Sequence, residues 1–159
     1  MKPLSISLFS GAGGMDIGVA RAGFANLCSV EADPYCAATL RRNCSGTAVW
    51  QGDVRALDPR RVLESPGLAK GNISLLHGGP PCQPFSQIGH RKGLHDPRGR
   101  LAFEMVRFAE TLRPSAVMLE QVPAFLNMQA ADGMTVLDVM REEFRHTGIR
   151  NTRTRPQRP

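Results

Sequence analysis

The segment Leu4-Ser5-Ile6-Ser7-Leu8-Phe9-Ser10-Gly11-Ala12-Gly13-Gly14 passes from strand-forming residues straight into a glycine-rich turn. Leu4–Phe9 reads as a β-strand, and Met15–Arg21, directly after the glycines, reads as a helix. A glycine turn in that position lets backbone amides approach a ligand at the helix N-terminus. It serves a tight strand-to-helix connection with nothing bound equally well. Outward from this segment, strand-like stretches recur at Leu27–Glu31, Ala48–Gln51, Ile73–His77 and Ala116–Leu119. Helical segments fall between and after them: Pro34–Arg42 with proline at its start, Arg98–Leu112 with Leu101, Met105, Phe108 and Leu112 on one face, and Met134 to His146. Gly148 is placed to stop the last helix, and Pro59–Lys70 is a connection of unassigned structure. Strands alternating with helices predict βαβ units, and so an α/β fold with a mostly parallel sheet.

Acidic residues follow two of these strands. Glu31 ends the second strand, about twenty residues after the glycine turn, where a carboxylate can bind both hydroxyls of a ribose. Asp53 follows the third strand in Gly52-Asp53-Val54, positioned to hydrogen-bond an adenine amino group. Each acid alone is compatible with a solvated or capping role. Three such features after three successive strands argue for an adenosine-containing ligand, without separating a dinucleotide from S-adenosylmethionine.

The fourth strand runs into Gly78-Gly79-Pro80-Pro81-Cys82-Gln83-Pro84-Phe85-Ser86. Most free cysteines are small apolar fillers, but Cys82 sits just past the carboxyl end of a strand, where open α/β sheets place their ligands. The paired prolines remove backbone freedom and hold the thiol before a substrate arrives. Cys82 therefore reads as a nucleophile. The stretch from His90 to Arg100 that follows carries Arg91, Lys92, Arg98 and Arg100, which suits a polyanionic substrate.

A chain of 159 residues can bury one α/β core. No apolar run reaches transmembrane length, and Met1-Lys2-Pro3-Leu4 leads directly into a strand, so a soluble, cytoplasmic protein is expected. The four cysteines, Cys28, Cys36, Cys44 and Cys82, never form a Cys-x-x-Cys pair and lack clustered histidines, so no metal site is expected and a reducing compartment is the simpler inference. The formal charge is +6, but Arg145, Arg150, Arg153, Arg155 and Arg158 supply most of it from a C-terminal stretch without acids. Residues 149–159 are accordingly expected to form a basic, disordered tail.

In combination, these motifs resemble the DNA (cytosine-5)-methyltransferases. The matching segments are Phe9–Gly14, Glu31-Ala32-Asp33-Pro34, Gly52-Asp53-Val54, Pro80–Ser86, Arg98-Gly99-Arg100-Leu101 and Glu120-Gln121-Val122-Pro123. They stand in the family's order and span most of the chain to about Phe125. The resemblance implies a Rossmann-like methyltransferase fold over residues 1–148, with S-adenosylmethionine as cofactor. It places Phe9 against the adenine, the Gly11, Gly13 and Gly14 backbone near the methionine part, Glu31 at the ribose, Asp53 and Val54 at the adenine, and Leu101 in the pocket wall. It also implies double-stranded DNA as partner, with a flipped cytosine contacted by Gln83, Ser86 and Arg98. Cys82 would add to carbon 6 of the base, and Glu120 would hold ring nitrogen 3. A relative acting on transfer RNA would share these motifs.

Two departures accompany the resemblance. Gln121 stands where the family more often has asparagine, which is expected to alter a supporting hydrogen bond. The family also continues into further strands, a variable target-recognition region and a returning C-terminal segment. The chain is therefore expected to be the N-terminal catalytic part, C-terminally truncated. It would act alone or with a complementary C-terminal chain, or persist as a non-catalytic, cofactor-binding remnant.

Overall fold

The computed structural model describes residues 1–64, 71–83, 99–130 and 133–149. Five strands form one sheet: β1 (Leu4–Leu8), β2 (Ala25–Glu31), β3 (Ala48–Gln51), β4 (Ile73–Gly78) and β5 (Ala116–Leu119). Every pairing is parallel and the order is β3-β2-β1-β4-β5. The α/β expectation holds, and each predicted strand is present to within two residues.

Among the described residues four α-helices accompany the sheet: α1 (Gly14–Arg21), α2 (Pro34–Asn43), α3 (Glu104–Leu112) and α4 (Val136–His146). Asp33 caps α2 by accepting from the Tyr35 and Cys36 amides, with Pro34 in the first turn. Thr135 and Asp138 form a reciprocal capping box on α4, and Gly148 lies beyond its end with φ +78°. The helix predicted over Arg98–Leu112 divides. Gly99–Phe103 winds as a 3-10 turn, and regular α-geometry begins only at Glu104. Pro59–Glu64 is likewise a 3-10 segment.

The two sheet faces differ in chemistry. Ile6, Leu8, Val30 and Leu76 join Met105, Phe108 and Leu112 of α3 and Val136, Met140 and Phe144 of α4 in one apolar core. Each fully buried side chain of this size contributes about 1.5–3 kcal/mol relative to exposure. Towards α1, a polar layer is buried instead. Asp16 on α1 accepts from Ser7 Oγ at 2.6 Å, Ser29 Oγ at 2.6 Å and Asn26 Nδ2 at 3.1 Å. Ser7 is in register with both Ser29 and His77, so those side chains share a face beneath Asp16.

From β1 the chain builds outward to β3, then returns past β1 to start β4 on the other side. The reversal leaves a crevice at the carboxyl ends of β1 and β4, where open α/β sheets bind ligands. The glycine turn leaves β1 at this crevice, and the cysteine loop leaves β4 beside it.

Candidate active site

All five strands release a predicted site residue at their carboxyl ends. Phe9 follows β1, Glu31 closes β2, Asp53 follows β3, Cys82 lies beyond β4 and Glu120 follows β5. Because the strands are parallel, residues more than a hundred positions apart converge on one rim.

At the first strand, Phe9 adopts φ +55°, a left-handed conformation that costs a non-glycine residue of order 1–3 kcal/mol. Its ring is half-buried against the core. Ser10 holds the turn down: its amide donates to the Val30 carbonyl at 3.2 Å and its hydroxyl donates to Ser7 Oγ at 2.8 Å. Gly13 needs to be glycine twice over. Its φ is +92°, and an added Cβ would lie 2.9 Å from Leu40 Cδ2. Gly14 begins α1 with open space beside it, leaving the helix N-terminus accessible.

Glu31 ties this turn to the end of β2. Its Oε2 accepts from the Gly11 amide at 2.7 Å and its Oε1 from the Asp33 amide at 2.8 Å. Both oxygens keep further lone pairs for hydroxyl donors. Asp53 takes the capping role that the sequence left open and adds an ion pair that the sequence did not show. It caps the Val54–Ala56 turn and forms a two-pronged ion pair with Arg55, with Nη2 2.5 Å from Oδ2. The Arg55 guanidinium, then its backbone amide, lower the Asp53 pKa to about 2. Val54 is buried behind it, and Leu101, in the turn before α3, packs half-buried against the core.

The fourth and fifth strands are joined at their ends, where the Glu120 amide donates to the Gly78 carbonyl at 3.0 Å. Gly79 leaves room for the Glu120 carboxylate, since a Cβ there would stand 3.2 Å from Oε2. Gln121 then crosses to the cysteine loop. Its Nε2 donates to the Pro80 carbonyl at 2.7 Å, while its Oε1 accepts from the Val122 amide at 3.1 Å. Cys82, two residues past this tether, is half-buried, and Gln83 is exposed.

The other thiols are poor nucleophiles. Burial pushes Cys28 up to about 11, and burial aided by Asp33 and by Asp16 raises Cys36 and Cys44 respectively. Ser86, Arg98 and residues 150–159 of the predicted tail lie outside the described residues. Among the described residues no three His, Cys, Asp or Glu side chains cluster as metal ligands, and no helix is long and apolar enough to cross a membrane.

Residues 4–152 match the family model of the C-5 cytosine-specific DNA methylases. The chain belongs to this family. Type II methyltransferase M.AquIA of Picosynechococcus is 44% identical over 127 residues, covering 80% of this chain and 51% of the relative. M.PspPI, a type II methyltransferase of Psychrobacter, is 33% identical over 139 residues, which is 87% of this chain and 32% of that protein. A solved E. coli prophage protein, described as a DNA modification methyltransferase, superposes with a TM-score of 0.73 at 28% identity, over 91% of this chain and 38% of its own. This C-5 cytosine methylase chain thus spans about half the length of the first relative and about a third of the second.

Within the methylase, two structural residues escaped the motif reading. Asp16 is buried under α1, and Arg107 reaches from α3 to the loop after β3. Neither carries a local signal, because their partners lie far away in sequence.

Proposed function

We propose that this chain carries the cofactor site and the nucleophile of a DNA (cytosine-5)-methyltransferase, which methylates carbon 5 of cytosine in duplex DNA. The observation that supports it best is the convergence of Gly11–Gly14, Glu31, Asp53, Cys82 and Glu120 on one end of a parallel sheet, at its switch point.

The residues present fit S-adenosylmethionine. The backbone of the glycine turn and the open N-terminus of α1 suit the methionine part, Glu31 the ribose, and Asp53, Val54, Phe9 and Leu101 the adenine. When bound, that cofactor supplies an electrophilic methyl group. Carbon 5 of cytosine is too weakly nucleophilic to take it unaided, and the chain's own residues address this. The Cys82 thiolate adds to carbon 6, forming an S–C bond and shifting the 5,6 π-electrons onto carbon 5 and the ring. Glu120 holds ring nitrogen 3 and stabilises the developing negative charge by sharing a proton. Once carbon 5 is methylated, its proton is lost to a base and the S–C bond breaks, restoring the double bond and the thiolate. Access to carbon 6 requires the cytosine to leave the helix, with Gln83, Ser86 and Arg98 around it.

A complementary C-terminal segment is part of this proposal, the chain matching about half of the first relative's length and about a third of the second's. The exposed edge strand β5, with Met118 40% exposed, supports it.

Duplex DNA containing 5-fluorocytosine tests the chemistry, since fluorine at carbon 5 cannot be lost as a proton and the adduct is trapped. With S-adenosylmethionine present, a covalent protein–DNA band is expected that Cys82→Ser abolishes. An adduct that persists in Cys82→Ser, or none across varied DNA even with the complementary segment supplied, overturns the proposal.

A further inference from the structure

We propose that Arg107 is a positioning residue that sets the width of the adenosine end of the pocket by tying the loop after β3 to α3. The inference rests on the cofactor site proposed above.

Arg107 lies one turn into α3, and all three guanidinium nitrogens are engaged. Nη1 donates to the Leu57 carbonyl at 3.0 Å and Nη2 to the Val54 carbonyl at 2.9 Å. Nε donates to Glu104 Oε2 at 2.7 Å, and the guanidinium carbon stands 5.0 Å from the centroid of the Phe108 ring. An arginine on a helix surface is satisfied by an i−3 glutamate and water. Spanning two carbonyls that precede it by 50 and 53 positions is an additional, directed contact.

The loop it grips needs holding. Asp53–Leu57 belongs to no strand, and its backbone bonds run from Ala56 to Asp53 and from Leu57 to Val54 within the loop itself. Val54 and Leu57 anchor its inner side in the core, while Asp53 and Arg55 face outward. In the cofactor site proposed above, the facing wall is assigned to Leu101, in the Gly99–Phe103 turn that continues directly into α3. One helix therefore carries one wall and, through Arg107, grips the other. The planar guanidinium serves the two carbonyls and the carboxylate from three separate nitrogens in fixed directions, whereas a lysine keeps the charge but brings its donors from a single nitrogen.

The test compares Arg107→Lys and Arg107→Met in the full chain. Without ligand, amide hydrogen exchange at Ala56 and Leu57 is expected to rise at least about tenfold in both variants, with β1 and β4 unchanged. Titration calorimetry with S-adenosylhomocysteine is expected to show Kd raised about tenfold in both, with no rescue by lysine. In methyl transfer, the KM for the cofactor rises while kcat stays within about twofold. Lysine restoring wild-type exchange and affinity overturns the clamp, as does faster exchange throughout the sheet, which would mark a general structural role. A wild-type chain that binds no S-adenosylhomocysteine overturns the cofactor site itself. That failure is distinct from binding which both variants retain, which removes Arg107 alone.

Discussion

Gln121 braces the loop that carries the proposed nucleophile. Its amide reaches across from the end of β5 to the Pro80 carbonyl and simultaneously accepts from Val122, so both of its polar ends are used. Pro80 is buried and followed by a second proline, which leaves the loop few other ways to satisfy that carbonyl. Gln121→Ala strands the Pro80 oxygen, at a cost of about 1–3 kcal/mol for an unsatisfied buried acceptor. Its larger effect is to loosen the backbone two residues before Cys82. Trapping on 5-fluorocytosine DNA is expected to slow by about tenfold to a hundredfold, while S-adenosylhomocysteine affinity stays within about twofold. An equal loss in both measurements would show that Gln121 supports the whole rim instead. Of these relations, the role proposed for Cys82 is read from its proline-rich surroundings in the sequence. The reach of Gln121 is not, because its partner is 41 positions away and only β4–β5 pairing brings them together.

Among the elements, α1 is unusual in meeting the sheet through polar groups. Asp16 gathers three side-chain donors, and His77 on β4 lies fully enclosed with Nδ1 4.0 Å from Asp16 Oδ1. Neither imidazole nitrogen has a hydrogen-bond partner among the described residues. Burial pushes the His77 pKa below its ordinary 6.5, against the pull of Asp16. A histidine depressed in the fold is neutral there but takes up a proton on unfolding below pH 6.5. Its contribution to stability is therefore present above that pH and lost as the pH falls through 6.5 towards the folded value. Thermal melting is expected to drop between pH 7.5 and 5.5 in the wild-type chain and to flatten in His77→Gln. The carboxylates Asp33, Asp53, Asp58 and Asp138 have lowered pKa values, so their losses come at lower pH and leave this window clear. A drop of equal size in His77→Gln would assign the effect elsewhere. Strand positions were readable from apolar runs because all five are short and glycine- or turn-bounded. The start of α3 was not, since the apolar spacing that begins at Leu101 continues unbroken across the change from 3-10 to α-geometry.

For the whole molecule, the two faces of the sheet are unequally covered. The core between the sheet and α3 and α4 is closed, with Phe108, Leu76 and Ile6 fully buried. On the α1 side, α1 contacts β2 and α2 contacts β2 and β3. Met118 is in register with buried His77 and shares its face, yet it is 40% exposed on the last described strand. An exposed methionine on a strand that pairs on one side only among the described residues marks a surface that a further strand or helix can cover. The proposed complementary segment would supply that cover, about half of the first relative's length lying outside the matched region. Met118→Lys separates this from a defect of the fold. Since Met118 is partly open to solvent and a lysine's amine can reach water from there, the melting temperature of the chain alone should move by no more than a degree or two. Binding of a C-terminal segment taken from the 44%-identical relative, measured by sedimentation or calorimetry, should weaken about tenfold or more, because a charge replaces an apolar contact in the joint. Adduct yield on 5-fluorocytosine DNA should fall in parallel with that binding and recover at higher segment concentration. Unchanged binding in Met118→Lys would remove β5 as the joint, while a lowered melting temperature in isolation would show that Met118 already supports the described core.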